Sequence, residues 1–204
     1  MRAAVVYESL SGRTREVAEA VADGLRAAAP GAAVDCRPVV DAGPALGQVD
    51  LLVVGGPTHF LGMSSQRSRR LVRQYQERAG GHRSRRAAGK HPAGPGVREW
   101  LAALPRAACG RRAAAFDTRL TTLFPGSAAR LIARGLEEHG YEVITRPEGF
   151  LVENMLGPLS AGERDRARAW GSALAGFLRP AHQASSQGPG EPAPGAGRAV
   201  RPGA

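Results

Sequence analysis

The sequence predicts an α/β domain in which five strands alternate with helices and form a doubly wound parallel sheet. Apolar segments of strand length alternate with longer segments of helical periodicity. The predicted central strand contains the run LLVVGG, which is apolar on both faces and therefore typical of a strand covered by helices on both sides. Such sheets bind ligands at the carboxyl ends of their strands, so the loops after strands one, three and four form the candidate site.

The first half of the chain is predicted to contain three strands and two helices. Short β-branched or apolar runs indicate the strands, and the spacing of Val17, Val21 and Leu25 indicates a helix with one buried face. Pro30 and Gly31 end that helix. The predicted elements are strand Ala3–Tyr7, helix Arg13–Ala29, strand Ala33–Val39, strand Val49–Gly55 and helix Ser64–Arg78.

The second half completes the alternation with three helices and two strands. Ser127 and Gly140 mark the two ends of one helix, and Ser160 with Glu163 is expected to form a capping box on the last helix. In the helix at 126–140, periodicity predicts that Leu131, Ile132 and Leu136 face inward. In the helix at 160–178 it predicts the same for Ala167, Trp170, Leu174 and Phe177. The predicted elements are helix Val97–Leu104, strand Arg112–Asp117, helix 126–140, strand Tyr141–Thr145 continued by Gly149–Glu153, and helix 160–178.

Composition divides the 204 residues into one domain and an appendage. We predict a domain over residues 1–179 and a disordered Pro/Gly-rich tail over 180–204, whose composition offers little apolar surface to bury. The formal net charge is +10, and the segment 65–96 carries nine basic residues and one acidic residue. We treat this segment as a basic insertion whose part at 79–96, rich in Gly, Arg and Pro, is a mobile loop.

Cysteine usage and hydropathy bear on the cellular location. Cys36 and Cys109 are the two cysteines of the chain and lack metal-type spacing, which disfavours a disulfide framework or a zinc site and suggests a reducing compartment. Apolar runs stay well below the roughly 18 residues of a membrane span, and the N-terminus lacks a signal-peptide pattern. A cytoplasmic protein with no membrane span and no metal site is expected.

A short polar run links the first strand to the first helix. Residues 8–14 read ESLSGRT, which places hydroxyls, a glycine and free backbone N–H groups at a helix N-terminus. Such ends attract anions because their N–H groups are unpaired and the helix dipole is positive there, so a phosphate is expected; an ordinary helix cap is the alternative. The run matches neither the Walker A spacing nor the G-x-G-x-x-G pattern.

The loops after strands three and four provide the remaining candidate groups. Residues 55–64, GGPTHFLGMS, place His59 and Phe60 where a flat ring could lie against them and Gly62 where backbone N–H groups could reach its edge. A structural turn with a packed phenylalanine is the alternative. Residues 116–127 contain Asp117 and Arg119, which could face a ligand or could serve only to hold the loop together.

Together the three loops resemble the flavin-binding loops of the flavodoxin family. SLSGRT at residues 9–14 resembles the [T/S]-x-[T/S]-G-x-T phosphate loop, and GGPTHFLGMS and AAAFDTRL resemble the second and third flavin loops. The resemblance covers about residues 1–179 and implies strand order 2-1-3-4-5 and flavin mononucleotide (FMN) as cofactor. It implies phosphate contacts from Ser9, Leu10, Ser11, Gly12, Arg13 and Thr14, and ring contacts from Pro57, Thr58, His59, Phe60, Gly62, Asp117, Thr118 and Arg119.

The resemblance also implies a redox function, as an electron carrier or as a small FMN-dependent oxidoreductase. His59 is the candidate for a catalytic proton donor or for a group that stabilises reduced flavin. Two features depart from typical flavodoxins, which are acidic and stack the flavin between aromatic residues: this chain is basic, and its third loop has Phe124 several residues late and no Trp or Tyr. Arg13, Arg119 and His59 therefore predict a higher flavin potential. The electron acceptor would be a partner protein or a quinone-like molecule, and NAD(P)H is a candidate electron donor.

Other interpretations are weaker on sequence grounds. A response-regulator receiver needs an Asp at the end of strand three and a Lys after strand five, whereas this chain has Gly55-Gly56-Pro57 and a single lysine, Lys90. The alternative function is binding of nucleic acid or an acidic protein by the insertion at 65–96, on a scaffold without cofactor. Binding of nucleic acid is disfavoured because the segment has one aromatic residue, Tyr75, and lacks a known DNA-binding motif. The charge pattern is also compatible with a solvated arginine-rich segment that binds nothing.

Overall fold

The alternation of strands and helices is confirmed by a computed structural model that describes residues 1–43, 46, 48–79, 94–121, 126–155 and 157–178. Its strands are β1 (Arg2–Tyr7), β2 (Ala33–Pro38), β3 (Leu51–His59), β4 (Gly62–Met63), β5 (Arg112–Leu120), β6 (Glu142–Val143) and β7 (Glu148–Val152). Its helices are α1 (Arg13–Ala28), α2 (Gln66–Ala79), α3 (Val97–Ala102), α4 (Ala128–Glu138) and α5 (Glu163–Leu174), with short 3₁₀ turns at Val39–Asp41 and Ala175–Leu178.

The sheet has the strand order that the resemblance to flavodoxins implied. Strand β3 lies at its centre and pairs in parallel with β1 on one side and β5 on the other, while β2 pairs with the outer side of β1. The predicted fifth strand is split in two, because β6 pairs with the start of β5 and β7 pairs with residues Phe116–Leu120 further along. The order β2-β1-β3-β5 followed by β6 and β7 thus confirms the 2-1-3-4-5 arrangement.

Strands β3 and β5 are longer than predicted, which corrects the description of two loops. The sequence placed the end of strand three at Gly55 and that of strand four at Asp117, but the strands continue to His59 and Leu120. Strand β3 then folds back through a tight turn into β4, which pairs with it antiparallel. The sheet is therefore not a purely parallel five-stranded one, and its second site loop is a β-hairpin.

Helices cover both faces of the sheet, as a doubly wound fold requires. Alternate residues of the strands pack into two separate cores. One core contains residues of α3 and α4, for example Trp100, Ile132 and Leu136. The other contains residues of α1 and α5, for example Val21 and Leu174. Both cores contain residues of β1, β3 and β5, so these central strands are buried on both sides.

Three predicted side-chain positions are wrong in detail. Leu131 and Phe177 were expected to face inward, but each is 39% exposed. The capping box on the last helix is not formed as predicted, because Gly162 with φ 79° is the N-cap and the Glu163 carboxylate accepts a hydrogen bond from Leu151 N at 2.8 Å instead of from the backbone of Ser160. Ser127 does cap α4, since its Oγ accepts from Arg130 N at 3.3 Å.

Several predictions fall outside the described residues. They are the tail at 180–204, the domain boundary at 179, Phe124, and most of the predicted mobile loop at 79–96. The cytoplasmic location also stays a prediction. Within the described ranges, none of the helices has the length and hydropathy needed to cross a bilayer. Cys36 is partly buried and Cys109 is exposed, and both are free thiols.

Candidate functional site

The polar loop after β1 leads into α1 through a glycine in the left-handed region. Gly12 is the N-cap of α1 with φ 90° and ψ −16°, a conformation that costs other residues conformational energy. Its N–H donates to Ser9 Oγ at 3.1 Å, which closes the loop. No side chain caps the helix, so the first turn of α1 presents its backbone N–H groups at the carboxyl edge of the sheet. This arrangement suits an anionic group.

Thr14 connects the first loop to β5. Its Oγ1 lies 2.8 Å from Oγ1 of Thr118, and both residues are buried. Either hydroxyl can donate this hydrogen bond. If Thr118 donates, the Thr14 hydroxyl keeps its own proton for an acceptor in the loop. The loop residue and the strand residue, which are 104 positions apart in sequence, are thus brought together, a contact that the sequence did not predict.

Arg13 is already engaged within its own helix. Its guanidinium forms an ion pair with Glu16 one turn further along, so much of its charge is offset locally. Its Nε is buried and has no hydrogen-bond partner among the described residues. A buried N–H donor without an acceptor is costly, and an anion at the loop would provide one. Sequence reasoning missed Glu16, although the i,i+3 spacing is a recognised signal for such a pair.

The β3–β4 hairpin presents His59 and Phe60 at the edge of the site. Phe60 occupies the turn with φ 55°, an uncommon conformation for a bulky residue, and its side chain is 82% exposed. The neighbouring Leu61 is 64% exposed. Gly62 lies in β4, where an added Cβ would approach Leu131 Cδ1 to 2.7 Å. The predicted alternative of a packed Phe60 is therefore wrong, and the hairpin tip is an apolar projection.

His59 is held by the first turn of α2. Its Nδ1 lies 3.0 Å from Ser68 Oγ, and the Ser68 side chain is buried. Burial, helped by the nearby positive charge of Arg69, lowers the pKa of His59 to about 4. The imidazole is consequently neutral at pH 7. It can exchange hydrogen bonds with a ligand but adds no positive charge to the site.

Asp117 lies wholly buried between the hairpin and α4. Its Oδ2 accepts hydrogen bonds from Thr58 Oγ1 at 3.0 Å, from Ser127 Oγ at 2.7 Å and from Ala129 N at 3.0 Å. Thr58 Oγ1 in turn accepts from Ala128 N at 2.8 Å. The carboxylate therefore joins β3, β5 and the N-terminus of α4, where a negative charge also interacts favourably with the helix dipole.

Arg119 follows Asp117 in β5 and offsets its charge. The Nε of Arg119 lies 3.7 Å from Asp117 Oδ1, an oxygen that has no hydrogen-bond partner in the described part of the chain. The sequence left open whether these two residues face a ligand or hold the loop. The contacts of Asp117 favour the second role for that residue, while Arg119 is about one-third exposed and remains accessible.

A buried ionic cluster lies beneath the loops, and sequence reasoning missed it. Arg69 of α2 makes two hydrogen bonds to Glu99 of α3, at 3.0 and 3.2 Å, and a third to Ser64 Oγ at 3.0 Å. Ser64 donates to Glu8, whose other oxygen accepts from Val97 N at 2.8 Å. We call Glu8, Ser64, Arg69 and Glu99 the buried cluster. Its side chains are largely buried, apart from the partly exposed Glu99.

The buried cluster explains a close approach at Gly96. A Cβ there would lie 2.2 Å from Arg69 Nη1 and 2.6 Å from Glu8 Oε2, so only glycine leaves room for the guanidinium. Burial acts to raise the pKa of Glu99, but hydrogen bonds from Arg69 and from backbone amides outweigh it and lower that pKa. The cluster therefore fixes the start of α2 against β1 and α3.

Comparison with known proteins identifies the fold. The family model described as a flavodoxin domain matches residues 4–85, which include the first two site loops. A flavodoxin from the domain Archaea is 20% identical in sequence, with a TM-score of 0.57 over 87% of this chain and 99% of that one. The chain has a flavodoxin-like fold.

Two further solved structures support the same fold. Oxidised flavodoxin 1 of Bacillus cereus is 16% identical with a TM-score of 0.58, covering 87% of this chain and 97% of its own. Two-electron reduced flavodoxin of Megasphaera elsdenii is 16% identical with a TM-score of 0.51, and the match covers 85% of this chain and 98% of the flavodoxin. Among curated proteins, no sequence matches the flavodoxin-like chain. At these identities the structural likeness concerns the fold.

Helix α2 of this flavodoxin-like protein runs alongside the site. Near its start Ser68 contacts His59, and near its end Gln76 Nε2 donates to the carbonyl oxygen of Leu10 at 3.3 Å. The helix therefore spans the distance from the hairpin to the first loop. Sequence reasoning identified the helix but not this placement, because an arginine-rich helix carries no signal for which side chains will be buried.

Proposed function

We propose that this flavodoxin-like protein binds FMN and functions in electron transfer, either as a carrier or as a small FMN-dependent oxidoreductase. The observation that carries the proposal is the uncapped N-terminus of α1, which Gly12 opens toward the carboxyl edge of the sheet. This loop lies within the segment that matches the flavodoxin domain model. Bound FMN would supply the redox chemistry, and the protein would supply position and electrostatics.

The residues of the first loop fit a phosphate monoester. The N–H groups of the first turn of α1 point to the loop without a side-chain cap. Ser9 Oγ accepts from Gly12 N and so keeps its proton for a phosphate oxygen, and Thr14 does the same when Thr118 donates to it. The unpartnered Nε of Arg13 is a further donor. We therefore assign the phosphate to Ser9, Leu10, Ser11, Gly12, Arg13 and Thr14.

The hairpin and the end of β5 would hold the isoalloxazine ring. We assign the contacts to Pro57, Thr58, His59, Phe60 and Gly62 on one side and to Thr118 and Arg119 on the other. Asp117 is assigned a positioning role, because its buried oxygen holds Thr58 and the N-terminus of α4 in place. Since Nδ1 of His59 contacts Ser68, Nε2 is the ring atom left for a hydrogen bond or a proton transfer to a ligand.

The charges of the site bear on the potential of a bound flavin. Arg13 pairs with Glu16, Arg119 lies near Asp117, and His59 is neutral at pH 7. The site is thus close to neutral, not strongly positive, and the predicted rise in potential rests on the lack of excess negative charge. A quinone-like molecule or a protein as acceptor, and NAD(P)H as donor, remain the reactant classes that we propose to test.

The proposal is tested by FMN binding. We expect the purified protein to bind added FMN and to keep it through desalting, which is seen as the visible absorption bands of oxidised flavin in the protein fraction. The double variant Ser11→Ala/Thr14→Val should bind FMN at least about tenfold more weakly, because it removes two hydrogen bonds to a charged group. A matched control is Thr145→Val/Ser160→Ala, which removes the same groups away from the loop.

Two results would contradict the proposal. Failure of the wild-type protein to retain FMN after reconstitution would exclude the cofactor assignment. Equal affinities of the site variant and the control variant would exclude the first loop as the phosphate site. Thermal unfolding of each variant without FMN distinguishes a lost contact from a lost fold, since Thr14 also bonds to Thr118.

A further inference from the structure

Helix α2 has one face that is anchored and one that is exposed and basic. Ser68 and Arg69 are buried, and the opposite side of the helix carries a set of exposed side chains. Residues three, four and seven positions apart share a helix face, so the exposed ones form a continuous surface. That surface, which we call the arginine face, consists of Arg67, Arg70, Leu71, Gln74 and Arg78, with Tyr75 and Glu77 at its margins.

The arginines of this surface lack local counterions. Within the described ranges, no carboxylate oxygen lies within 4.0 Å of a guanidinium nitrogen of Arg67, Arg70 or Arg78. Arginines elsewhere are often paired, as Arg111 is with Asp50 at 2.7 Å. Several unpaired positive charges on one helix repel each other, and a partner that carries negative charge would relieve this repulsion.

The helix that carries the arginine face borders the proposed flavin site through its anchored side. The buried cluster fixes the start of α2, Ser68 contacts His59, and Gln76 contacts the first loop at Leu10. Next to the start of the helix, the hairpin tip projects Phe60 and Leu61, both largely exposed. A molecule that covers both the arginine face and the hairpin tip, which adjoins the start of the same helix, would lie near the site.

We propose that the arginine face and the hairpin tip together form the docking surface for an acidic redox protein. Arginine and aromatic side chains are enriched in protein interfaces, and an apolar centre with a charged rim is their usual organisation. Complementary charge accelerates association, which suits a short-lived electron-transfer complex. The assignment of electron exchange rests on the proposed function, whereas the docking itself requires only the surface.

A protein partner fits this surface better than a nucleic acid. Leu61 and Leu71 are exposed aliphatic side chains that gain nothing from a phosphate backbone, and Glu77 would repel one. The same side chains have partners in a protein surface whose apolar residues are surrounded by carboxylates. The occupant is therefore assigned as an acidic protein, and binding of nucleic acid is an alternative outcome of the test.

The test compares two charge-reversed variants with the same net charge. Arg67→Glu/Arg70→Glu changes the arginine face, and Arg2→Glu/Arg106→Glu makes the same change at exposed positions remote from α2. The probe is an acidic [2Fe–2S] ferredoxin, and binding is measured from about 20 to about 300 mM salt. We expect the first variant to bind at least about tenfold more weakly and the second to change less than about threefold, with affinity falling as salt rises.

A third variant and a second probe complete the design. Phe60→Ala/Leu61→Ala should speed dissociation of the ferredoxin while leaving the salt dependence of association unchanged, because it removes apolar contact and no charge. Equal losses in the two charge-reversed variants, or no binding by the wild-type protein at low salt, would overturn the proposal. Tighter binding of a single-stranded oligonucleotide than of the ferredoxin would also overturn it.

The measurement is made on the protein with and without FMN. Docking without FMN would support the surface even if the FMN assignment failed. Retention of FMN together with absent docking would contradict only the inference about the partner. The two proposals can therefore fail independently.

Discussion

The carboxylate of Asp117 provides the sharpest test of how the site is held together. Replacing Asp117 by Asn keeps the shape of the side chain and an oxygen able to accept the three hydrogen bonds that Oδ2 now receives from Thr58, Ser127 and Ala129. What the variant loses is the negative charge. It also places an amide NH₂ where Oδ1 now faces the guanidinium of Arg119 at 3.7 Å.

The expected cost follows from these contacts. A hydrogen bond to a charged group contributes about 1 kcal/mol more than a neutral one, and three such bonds share one oxygen, so their sum is not fully additive. The charge at the N-terminus of α4 adds about 0.5–1 kcal/mol. Relief from burying a charge offsets part of this loss. We therefore expect Asp117→Asn to lower the free energy of unfolding by about 2–3 kcal/mol.

Urea unfolding at pH 7, followed by far-ultraviolet circular dichroism, measures this change. Asp165→Asn is the matched control, because Asp165 lies in the first turn of α5 but is exposed, and it should cost less than about 0.5 kcal/mol. Ser127→Ala, which removes one donor and the cap of α4, should cost about 1 kcal/mol. An Asp117→Asn variant as stable as the Asp165→Asn control would refute the positioning role.

Three further predictions concern the buried cluster and His59. Arg69→Met should lower the free energy of unfolding by about 3–5 kcal/mol, because it leaves the carboxylate of Glu8 buried without its cation; a loss below about 1 kcal/mol in urea unfolding would contradict this. Gly96→Ala should cost more than about 1 kcal/mol and should loosen α2, seen as faster amide exchange of that helix, because a Cβ would meet Arg69 Nη1 at 2.2 Å. Burial lowers the pKa of His59 from about 6.5 to about 4, so between these values the unfolded chain binds more protons than the folded chain. Stability should therefore rise as the pH rises from about 4 to about 6.5, by up to about 3 kcal/mol, and His59→Gln should flatten that profile; identical slopes would disprove it.

The fold and the position of the turn into α1 were largely predictable from local sequence. Strand and helix types follow from periodicity, which each segment carries by itself, and the run SLSGRT marks the turn into α1. The predicted element boundaries were wrong where a segment is compatible with two local structures. Residues Gly55–His59 contain two glycines and a proline, which read as a turn, but β5 offers parallel pairing partners as far as Pro57 and so extends the strand.

The side-chain assignments of the site were less predictable. Asp117, Thr118 and Arg119 are consecutive in sequence, yet the structure gives them different environments, because successive residues of a strand point to opposite sides. Asp117 turns toward α4, while Thr118 meets Thr14. Sequence alone could name the residues of the strand end but not which of them face the first loop and which face α4.

The sequence by itself determined the α/β class, the order of the elements and the polar turn that leads into α1, since these depend on the propensities of neighbouring residues. Only the tertiary structure decided which of the many arginines is buried and which are exposed. Arg69 is buried because Glu8 and Glu99, 61 and 30 positions away, converge on it, whereas Arg67 and Arg70 point away from that convergence. Contacts between residues so far apart in sequence arise from the packing of the sheet and helices, and no local pattern encodes them.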